Sequence, residues 1–317
     1  MFKYAIQRFL YMLLVLLIIT CMCFVLVRML DPHTLPPGDP HAEVVAQRRE
    51  AQGYNEPVMI QFGIFLKNIV TEFDWGVSDV LFFGQDVWDI FLERLPASMI
   101  VNFYSIILSI PIGIGLGIFA ALKKNSWVDY MISTLTMVVI SVPSFVYAFV
   151  IQYVFSYKLQ WLPFLMKSGT DWFSGEMLIS ILAPILSLSF GVIAGFTRTT
   201  RAELTEVLTS EFMLLARTKG LTKAQATIRH AMRNCFVVVI PAIFGEFIGI
   251  LGGSLIIERI FSIPGVGGLT LAAINGRDYP IFMLTTVFYT AIGLVAGLVV
   301  DISYGFIDPR IRMGSKK

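Results

Sequence analysis

Apolar residues collect in six long runs along the chain, separated by polar segments. A helix needs about 20 consecutive apolar residues to cross the hydrocarbon core of a bilayer. The runs lie at about 9–29, 97–121, 128–156, 177–197, 235–257 and 281–307. The pattern therefore predicts an all-α polytopic membrane protein with about six transmembrane helices.

Composition agrees with this class. Of the 317 residues, 56% are hydrophobic and only 15% are charged, whereas a soluble domain carries about 25% charge. The three cysteines, Cys21, Cys23 and Cys235, lie in or beside apolar runs. We interpret them as ordinary buried thiols, and we expect no metal site in this chain.

Lysine and arginine are distributed unequally between the two sides of the predicted membrane. They precede the first run, occur between the second and third and between the fourth and fifth, and follow the sixth. Since basic loops remain in the cytoplasm, both termini are predicted to be cytoplasmic. The first run is long for a signal peptide and no A-x-A site follows it, so we expect an uncleaved span.

The expected organisation follows from these runs. Residues 1–29 form a tail and the first transmembrane helix, and 30–95 form an extracytoplasmic segment. Two short amphipathic helices are expected in that segment, one around 60–69 and one around 87–95. Residues 96–312 form a core of five transmembrane helices, with a cytoplasmic loop at about 200–233, and 313–317 form a cytoplasmic tail.

Glycines recur at four-residue spacing within the runs. The pairs are Gly113 and Gly117, Gly191 and Gly195, and Gly293 and Gly297, with a longer stripe of Gly245, Gly249 and Gly253. Such spacing lets membrane helices approach closely. We interpret the glycines as packing sites within the chain, with packing against a partner subunit as the alternative.

The loop between the fourth and fifth runs has a distinctive local pattern. Arg201 to Lys219 lack proline and glycine, which favours one helix. Gly220 suits a left-handed helix C-cap. Thr222, with Gln225 three residues later, predicts a capping box that opens a second helix.

This loop resembles the EAA coupling loop of binding-protein-dependent ABC importers. Leu214, Leu215 and Ala216 stand at the E-A-A positions, Gly220 stands at the glycine, and 240–241 lie near the closing I-x-L-P. The match is closer to the peptide-importer branch, whose A-R-A-K-G-L is similar to 216–221.

Seven further stretches resemble motifs of the same branch, in the same order. They lie at 37–40, 73–78, 93–96, 141–145, 258–267, 275–280 and 308–312. The chain thus resembles the B-type permease of oligopeptide and dipeptide importers over nearly its whole length. The resemblance implies the type I ABC importer permease fold in the cell membrane of a prokaryote, in contact with membrane lipid.

The resemblance also implies partners: a second homologous permease, two ABC ATPases and an extracytoplasmic substrate-binding protein. The chain contains no G-x-x-x-x-G-K-[ST] loop, so ATP and Mg are expected on the ATPases and this chain is not expected to be an enzyme. No feature suggests nucleic-acid binding.

Site residues follow from the same motifs. ATPase coupling is predicted for Glu211, Leu215, Ala216, Arg217, Lys219, Gly220, Leu221 and Thr222. The outer mouth is predicted at Phe261, Pro264 and Gly265, in a run from 261 to 268 that we expect to be irregular. The translocation path is predicted at Glu246, Pro143 and Ser144.

Several alternatives remain open. An ionisable group as deep as Glu246 either lines the pore or forms a hydrogen bond to a neighbouring helix. The cargo is most consistent with short peptides, with an oligosaccharide or a metal chelate as alternatives. An ion-coupled secondary transporter is a further hypothesis. Such a protein would need paired charges within the membrane or broken helices in both halves, but the sequence shows only Glu246 and no inverted repeat. An intramembrane enzyme would need paired aspartates or zinc ligands within the spans, which the sequence lacks.

Overall fold

The computed structural model describes residues 2–30, 40–167, 169 and 171–307. Within these ranges the chain is mostly helical, and its only β-structure is one isolated bridge between Val77 and Asp86. Five helices are long and apolar enough to cross a membrane, or six if one bent pair counts as a span. The all-α polytopic prediction is confirmed. The motif at 308–312 and residues 37–39 of the first motif lie outside the described residues.

The helices follow one another along the chain. They are α1 (Phe2–Met29), α2 (Ala42–Ala51), α3 (Val58–Glu72), α4 (Val87–Leu122), α5 (Trp127–Ser141), α6 (Ser144–Ile151), α7 (Gly175–Leu208), α8 (Glu211–Thr218), α9 (Lys223–Ala226), α10 (Met232–Gly249), α11 (Leu255–Ile260), α12 (Val266–Gly276) and α13 (Tyr279–Ile307). Turns of π-helix continue α6 (Gln152–Lys158) and α9 (Thr227–Ala231), and a 3-10 turn (Ile250–Gly252) follows α10.

Two central helices are longer than the sequence predicts. The separate helix expected around 87–95 is instead the first part of α4, which continues through Pro96 into the span. The side chain of Asp86 caps α4 by accepting from the N–H groups of Trp88 and Asp89. With 36 residues, α4 is roughly 54 Å long and extends beyond the bilayer. Similarly, α7 continues to Leu208 and not only to about 197.

The third run is not one continuous helix. The chain bends by 97° between α5 and the helix that starts at Ser144. Val142 is extended, with φ −96° and ψ 125°. Proline disfavours the helical conformation in the residue before it and cannot donate a hydrogen bond, so Pro143 is the physical reason for the break.

The helix expected from Arg201 to Lys219 is interrupted. It ends at Leu208, and α8 begins at Glu211 after Ser210, which is extended at φ −74° and ψ 154°. The hydroxyls of Thr209 and Ser210 donate to the carbonyls of Glu206 and Val207. Such side chains compete with the helical hydrogen bonds and favour ends over interiors.

The fifth span lies earlier in the chain than predicted: it runs over Lys223–Gly252 and ends before Gly253 instead of continuing to 257. Gly253 has φ +59°, a conformation that glycine adopts at little steric cost.

The core is built on α4 and α7, and two glycines allow their contact. A Cβ on Gly113 would lie 2.7 Å from Cβ of Phe196, and one on Gly117 would lie 2.7 Å from Cβ of Thr200. This pair therefore packs within the chain, as expected. By contrast, a Cβ on Gly191, Gly195, Gly249, Gly293 or Gly297 would meet no described atom within 4 Å.

A bidentate ion pair joins α5 to α7 near the cytoplasmic end. Nε and Nη2 of Arg201 lie 2.5 and 2.8 Å from the two carboxylate oxygens of Asp129. Asp129 is 1% exposed and also accepts from the N–H of Asn125 in the α4–α5 turn. The pair fixes that turn against the helix that leads to the predicted coupling segment.

Candidate functional site

The turn after α8 has the geometry that its sequence predicts. Gly220 has φ +91°. Its N–H donates to the carbonyl of Arg217, and the N–H of Leu221 donates to that of Ala216, which is a Schellman motif. The side chains of Thr222 and Gln225 then form the reciprocal capping box that opens α9. Both predictions about this turn are confirmed.

Helix α8 presents two different faces. Met213 and Ala216 are buried in a cluster that contains residues of α4, α7 and α10. Phe212, Leu214 and Leu215 are exposed, Leu215 by 55%. Helix α8, which the charge distribution predicts to be cytoplasmic, thus carries an uncovered apolar surface while its other face is anchored to the core.

The other predicted coupling residues surround that surface. Glu211, Arg217, Lys219, Gly220 and Thr222 are exposed, and Leu221 is half-buried. A hollow of about 470 Å³ lies between α8 and the cytoplasmic end of α4, and Lys124, Glu211 and Arg217 are among its lining residues. The segment and the basic α4–α5 turn therefore lie on the same side, as the charge distribution predicts.

At the opposite end, one buried carboxylate organises the predicted outer mouth. Glu258 of α11 is 3% exposed. It accepts hydrogen bonds from Ser98 Oγ at 2.7 Å, from the N–H of Gly268 at 3.0 Å and from the N–H of Ser254 at 3.2 Å. Ser98 Oγ in turn accepts from the N–H of Val266 at 2.9 Å. We call these residues the Glu258 cluster.

The Glu258 cluster lies where α12 begins, and it joins α11 and α12 to α4. The N–H groups at a helix N-terminus lack intrahelical partners and favour a negative charge. Burial raises the pKa of the Glu258 carboxyl, and the hydrogen bonds from Ser98 and the backbone act in the opposite direction. The sequence motif around Glu258 predicts no role for this residue, since nothing local marks it as buried.

The predicted outer-mouth residues differ in exposure. Phe261 is 1% exposed and belongs to the core, whereas Pro264 is exposed. Gly265 is buried, and a Cβ there would lie 2.4 Å from both Glu258 Oε2 and Ser98 Oγ. Helix α12 starts at Val266, so the irregular part is shorter than the expected 261–268.

A second buried carboxylate fixes the extracytoplasmic segment. Asp278 is 0% exposed and accepts from Ser78 Oγ at 2.5 Å and from the N–H groups of Leu81 at 2.9 Å and Val80 at 3.2 Å. This Asp278 cluster joins the motif at 73–78 to the motif at 275–280. The sequence contained both motifs but no signal that they meet.

Residues of both clusters line a groove of about 370 Å³, with Leu81 from the Asp278 cluster and Glu258 and Gly268 from the Glu258 cluster. We call it the outer groove, because it borders the residues predicted for the outer mouth. Its lining includes Phe82, Arg94, Arg259, Ser262, Pro264 and Gly265. Phe82 belongs to the turn held by Asp278, and Gly265 packs against Glu258. The groove therefore lies on a hydrogen-bonded framework, beside the residues that were predicted to form the outer mouth.

Glu246 lies on α10 beside a separate cavity of about 280 Å³, which is also lined by Gly191, Gly195 and Thr199 of α7. Its side chain is half-buried, and among the described residues none donates a hydrogen bond to it or pairs with it. The hydrogen bond considered above is therefore not formed within the described part of this chain. Pro143 and Ser144, at the bend after α5, are exposed.

Residues 113–313 match the family described as binding-protein-dependent transport system inner membrane component, and residues 1–102 match the N-terminal part of such membrane components. The chain belongs to this family. It is 34% identical to the dipeptide transport system permease protein DppB of Bacillus subtilis, with all of both chains covered. It is 32% identical to the oligopeptide transport system permease protein OppB of Haemophilus influenzae, over 98% of this chain and 100% of the relative.

A solved structure supports the fold. One chain of the crystal structure of an amino acid ABC transporter with histidines is similar, with a TM-score of 0.50 and 18% identity, over 69% of this chain and 94% of that chain. By its family and its full-length relatives, the chain is a multi-pass transport subunit and not an enzyme. Its family implies ATPase and substrate-binding protein partners. Within the described ranges no group of three or more His, Cys, Asp or Glu side chains could hold a metal ion.

Proposed function

We propose that this chain is one half of the transmembrane pore of an ATP-driven importer of short peptides. The cargo class rests on relatives of nearly equal length that are named dipeptide and oligopeptide permeases. In this proposal the pore is completed by a second homologous permease, and two ATPases carry ATP and Mg. A binding protein delivers the cargo at the outer groove.

The observation that carries the coupling role is the uncovered apolar face of α8. Leu214 and Leu215 are 64% and 55% exposed on a helix whose ends are fixed by a Schellman turn and by the break at Ser210. A rigid, exposed apolar helix on the cytoplasmic side fits a helix-in-groove contact with an ATPase. Since Ala216 is buried, its role in coupling is to seat α8 on the core rather than to contact the ATPase.

The test is co-purification of the ATPases with tagged chain from solubilised membranes that also contain its partner subunits. Leu215→Glu is expected to lower the amount of bound ATPase at least severalfold, because it places a charge in an apolar contact. Ala202→Glu is the matched control, since Ala202 is an exposed position on the cytoplasmic part of α7.

Uptake completes the test. Proteoliposomes that contain the whole complex are expected to accumulate labelled di- or oligopeptide only with internal ATP and binding protein. Uptake driven by an ion gradient without ATP would overturn the proposal. Equal ATPase binding by Leu215→Glu and Ala202→Glu would overturn the role of α8.

A further inference from the structure

A small cavity lies where the end of α1 meets α3 and the start of α13. Its volume is about 90 Å³, and its lining includes Phe24, Arg28, Gln61, Trp75 and Met283. One water molecule needs only about 10–15 Å³ of such space, so the cavity has room for a larger polar group. It shares no lining residue with the outer groove or with the hollow beside α8, and it is therefore a separate site.

Three lining residues have buried polar atoms without a hydrogen-bond partner in the described part of the chain. These atoms are Nε and Nη1 of Arg28, Nε1 of Trp75 and Oε1 of Gln61. The side-chain NH₂ group of Gln61 already donates to the carbonyls of Tyr54 and Glu56. Buried polar groups that lack a partner are rare and destabilising, so their convergence on one cavity indicates a ligand that supplies the missing partners.

The guanidinium of Arg28 is fixed by aromatic rings and not by an acid. Its carbon lies 3.6 Å from the centroid of the Tyr54 ring and 4.8 Å from that of the Phe24 ring. Arg28 belongs to no ion pair of the described residues. Arg49 lies against the same tyrosine, with its guanidinium carbon 5.7 Å from the ring centroid, so a second positive charge is close by.

The acidic residues nearby do not balance these charges. Asp74 lines the cavity, but its side chain is exposed and its Oδ1 accepts from the N–H of Gly76. Asp79 lies within electrostatic range of Arg28, but it pairs with Arg48. The arginines therefore outnumber the acids, and the excess of positive charge favours an anionic ligand.

The position of the cavity matches the phosphate layer of a membrane. Arg28 lies in the last turn of the first span, which ends one residue later, so we expect it at the depth of the lipid headgroups. Tyrosine and tryptophan, the residue types of Tyr54 and Trp75, are enriched at that interface. On α3 the apolar side chains of Met59 and Val70 are 62% and 80% exposed, as in a helix that lies along a membrane surface.

We propose that this cavity binds the phosphate of a membrane phospholipid, which accepts hydrogen bonds from the guanidinium of Arg28 and the indole N–H of Trp75. A guanidinium carries several N–H donors in one plane and suits phosphate oxygens. Oε1 of Gln61 accepts from an N–H or O–H donor of the headgroup, which ethanolamine and glycerol carry and choline lacks. The bound lipid joins α1 to α3 and α13 and holds the extracytoplasmic segment against the bilayer, whatever the cargo.

The experiment is native mass spectrometry of the complete transporter, delipidated in detergent and titrated with phosphatidylethanolamine. Wild type is expected to bind at least one lipid molecule saturably. Arg28→Gln should weaken this binding at least about tenfold, because it removes the charge that pairs with the phosphate. Trp75→Phe keeps an aromatic ring but loses the N–H group, and it should weaken binding about two- to tenfold.

Arg259→Gln is the matched control, because Arg259 is an exposed arginine of α11 that does not line the cavity, and it should bind lipid as wild type does. Equal affinity of wild type and Arg28→Gln would overturn the proposal. If Arg28→Gln does not assemble, Trp75→Phe decides, and wild-type affinity there would overturn it as well.

Two further titrations distinguish the source of the phosphate and the part of the headgroup that is recognised. Inorganic phosphate at millimolar concentration should not displace the lipid, and full displacement would show a site for a free anion instead. Phosphatidylcholine should bind more weakly than phosphatidylethanolamine, and equal affinity would contradict the role of Gln61.

Discussion

The Glu258 carboxylate shows how one residue can determine the geometry of several elements. Its acceptor oxygens meet donors from α4, from the start of α11 and from the start of α12. The sequence places Glu258 beside a proline–glycine turn, which predicts a sharp change of direction. It does not reveal that Ser98, 160 residues earlier, completes the cluster, because that contact depends on how the helices pack.

Glu258 and Glu246 are expected to differ in how strongly their substitution by glutamine lowers the stability of the complex. Glu258→Gln replaces one acceptor oxygen with an NH₂ group, so at least one N–H donor loses its acceptor, at a cost of about 1–3 kcal/mol. Glu246→Gln removes no hydrogen bond within the described residues. Thermal melts of the purified complex should therefore show a lower Tm for Glu258→Gln alone. Equal Tm values for both variants would contradict the Glu258 cluster.

Adding one methyl group should be destabilising at Gly265, in the predicted outer mouth, but not at a control glycine of α4. Gly265→Ala would place a Cβ 2.4 Å from both Glu258 Oε2 and Ser98 Oγ, so the cluster must open or the turn must shift. Gly115→Ala on α4 meets no described atom within 4 Å and should be neutral or slightly stabilising, since alanine favours helices. Limited proteolysis of the outer loops would report the difference. Gly265→Ala with wild-type protection would refute the close contact.

At the scale of elements, capping signals in the sequence predicted where a helix ends better than the apolar runs predicted how long it is. The cap at Gly220 and the box at Thr222 are confirmed, since both depend on hydrogen bonds within a few residues. The continuous helix from Arg201 to Lys219 is wrong, because Thr209 and Ser210 bond to the preceding turn. The bend at Pro143 and the extension of α4 beyond Pro96 show the limit of proline as a signal. Pro143 interrupts its run whereas Pro96 and Pro111 lie inside α4, so a proline in an apolar run does not by itself show where a helix ends.

The Schellman turn allows a test in which backbone strain is the only variable. Gly220 has φ +91° and no described atom lies within 4 Å of its Cβ position, so an added Cβ meets no neighbouring atom. Gly220→Asn should be tolerated best, Gly220→Ala should cost about 1 kcal/mol, and Gly220→Val should cost more, because β-branched residues disfavour positive φ.

Hydrogen exchange of α8 in the intact complex measures this order directly. We expect the amide exchange of α8 to become faster in the order Gly220→Asn, Gly220→Ala and Gly220→Val. The ratio of peptide imported to ATP hydrolysed should fall in the same order. Exchange that is equal in the three variants would show that the turn does not hold α8 in place.

At the scale of the whole molecule, identical spacing of glycines leads to different surroundings. Gly113 and Gly117 face α7 at close range, whereas Gly191 and Gly195 border the cavity beside Glu246. The sequence predicted close approach for all the pairs, since spacing marks one stripe of a helix but not what faces it. Much of the fold could thus be predicted from hydropathy and charge, while the contacts of the site required the packed structure.

The last prediction concerns the cavity beside Glu246, which we propose to be part of the translocation path. Gly195→Trp would fill much of its volume of about 280 Å³ without displacing a described atom near the Cβ position. If cargo passes here, ATP-driven peptide uptake should fall at least tenfold while the complex still assembles and hydrolyses ATP.

Gly293→Trp is the matched control. Gly293 also has no described atom within 4 Å of its Cβ position, but it borders a groove between α1 and α13, and this variant should transport normally. Loss of the second permease from the Gly195→Trp complex would instead place this face of α7 at the subunit interface. Normal uptake by Gly195→Trp would remove the cavity and Glu246 from the path, because a blocked conduit cannot carry cargo at the wild-type rate.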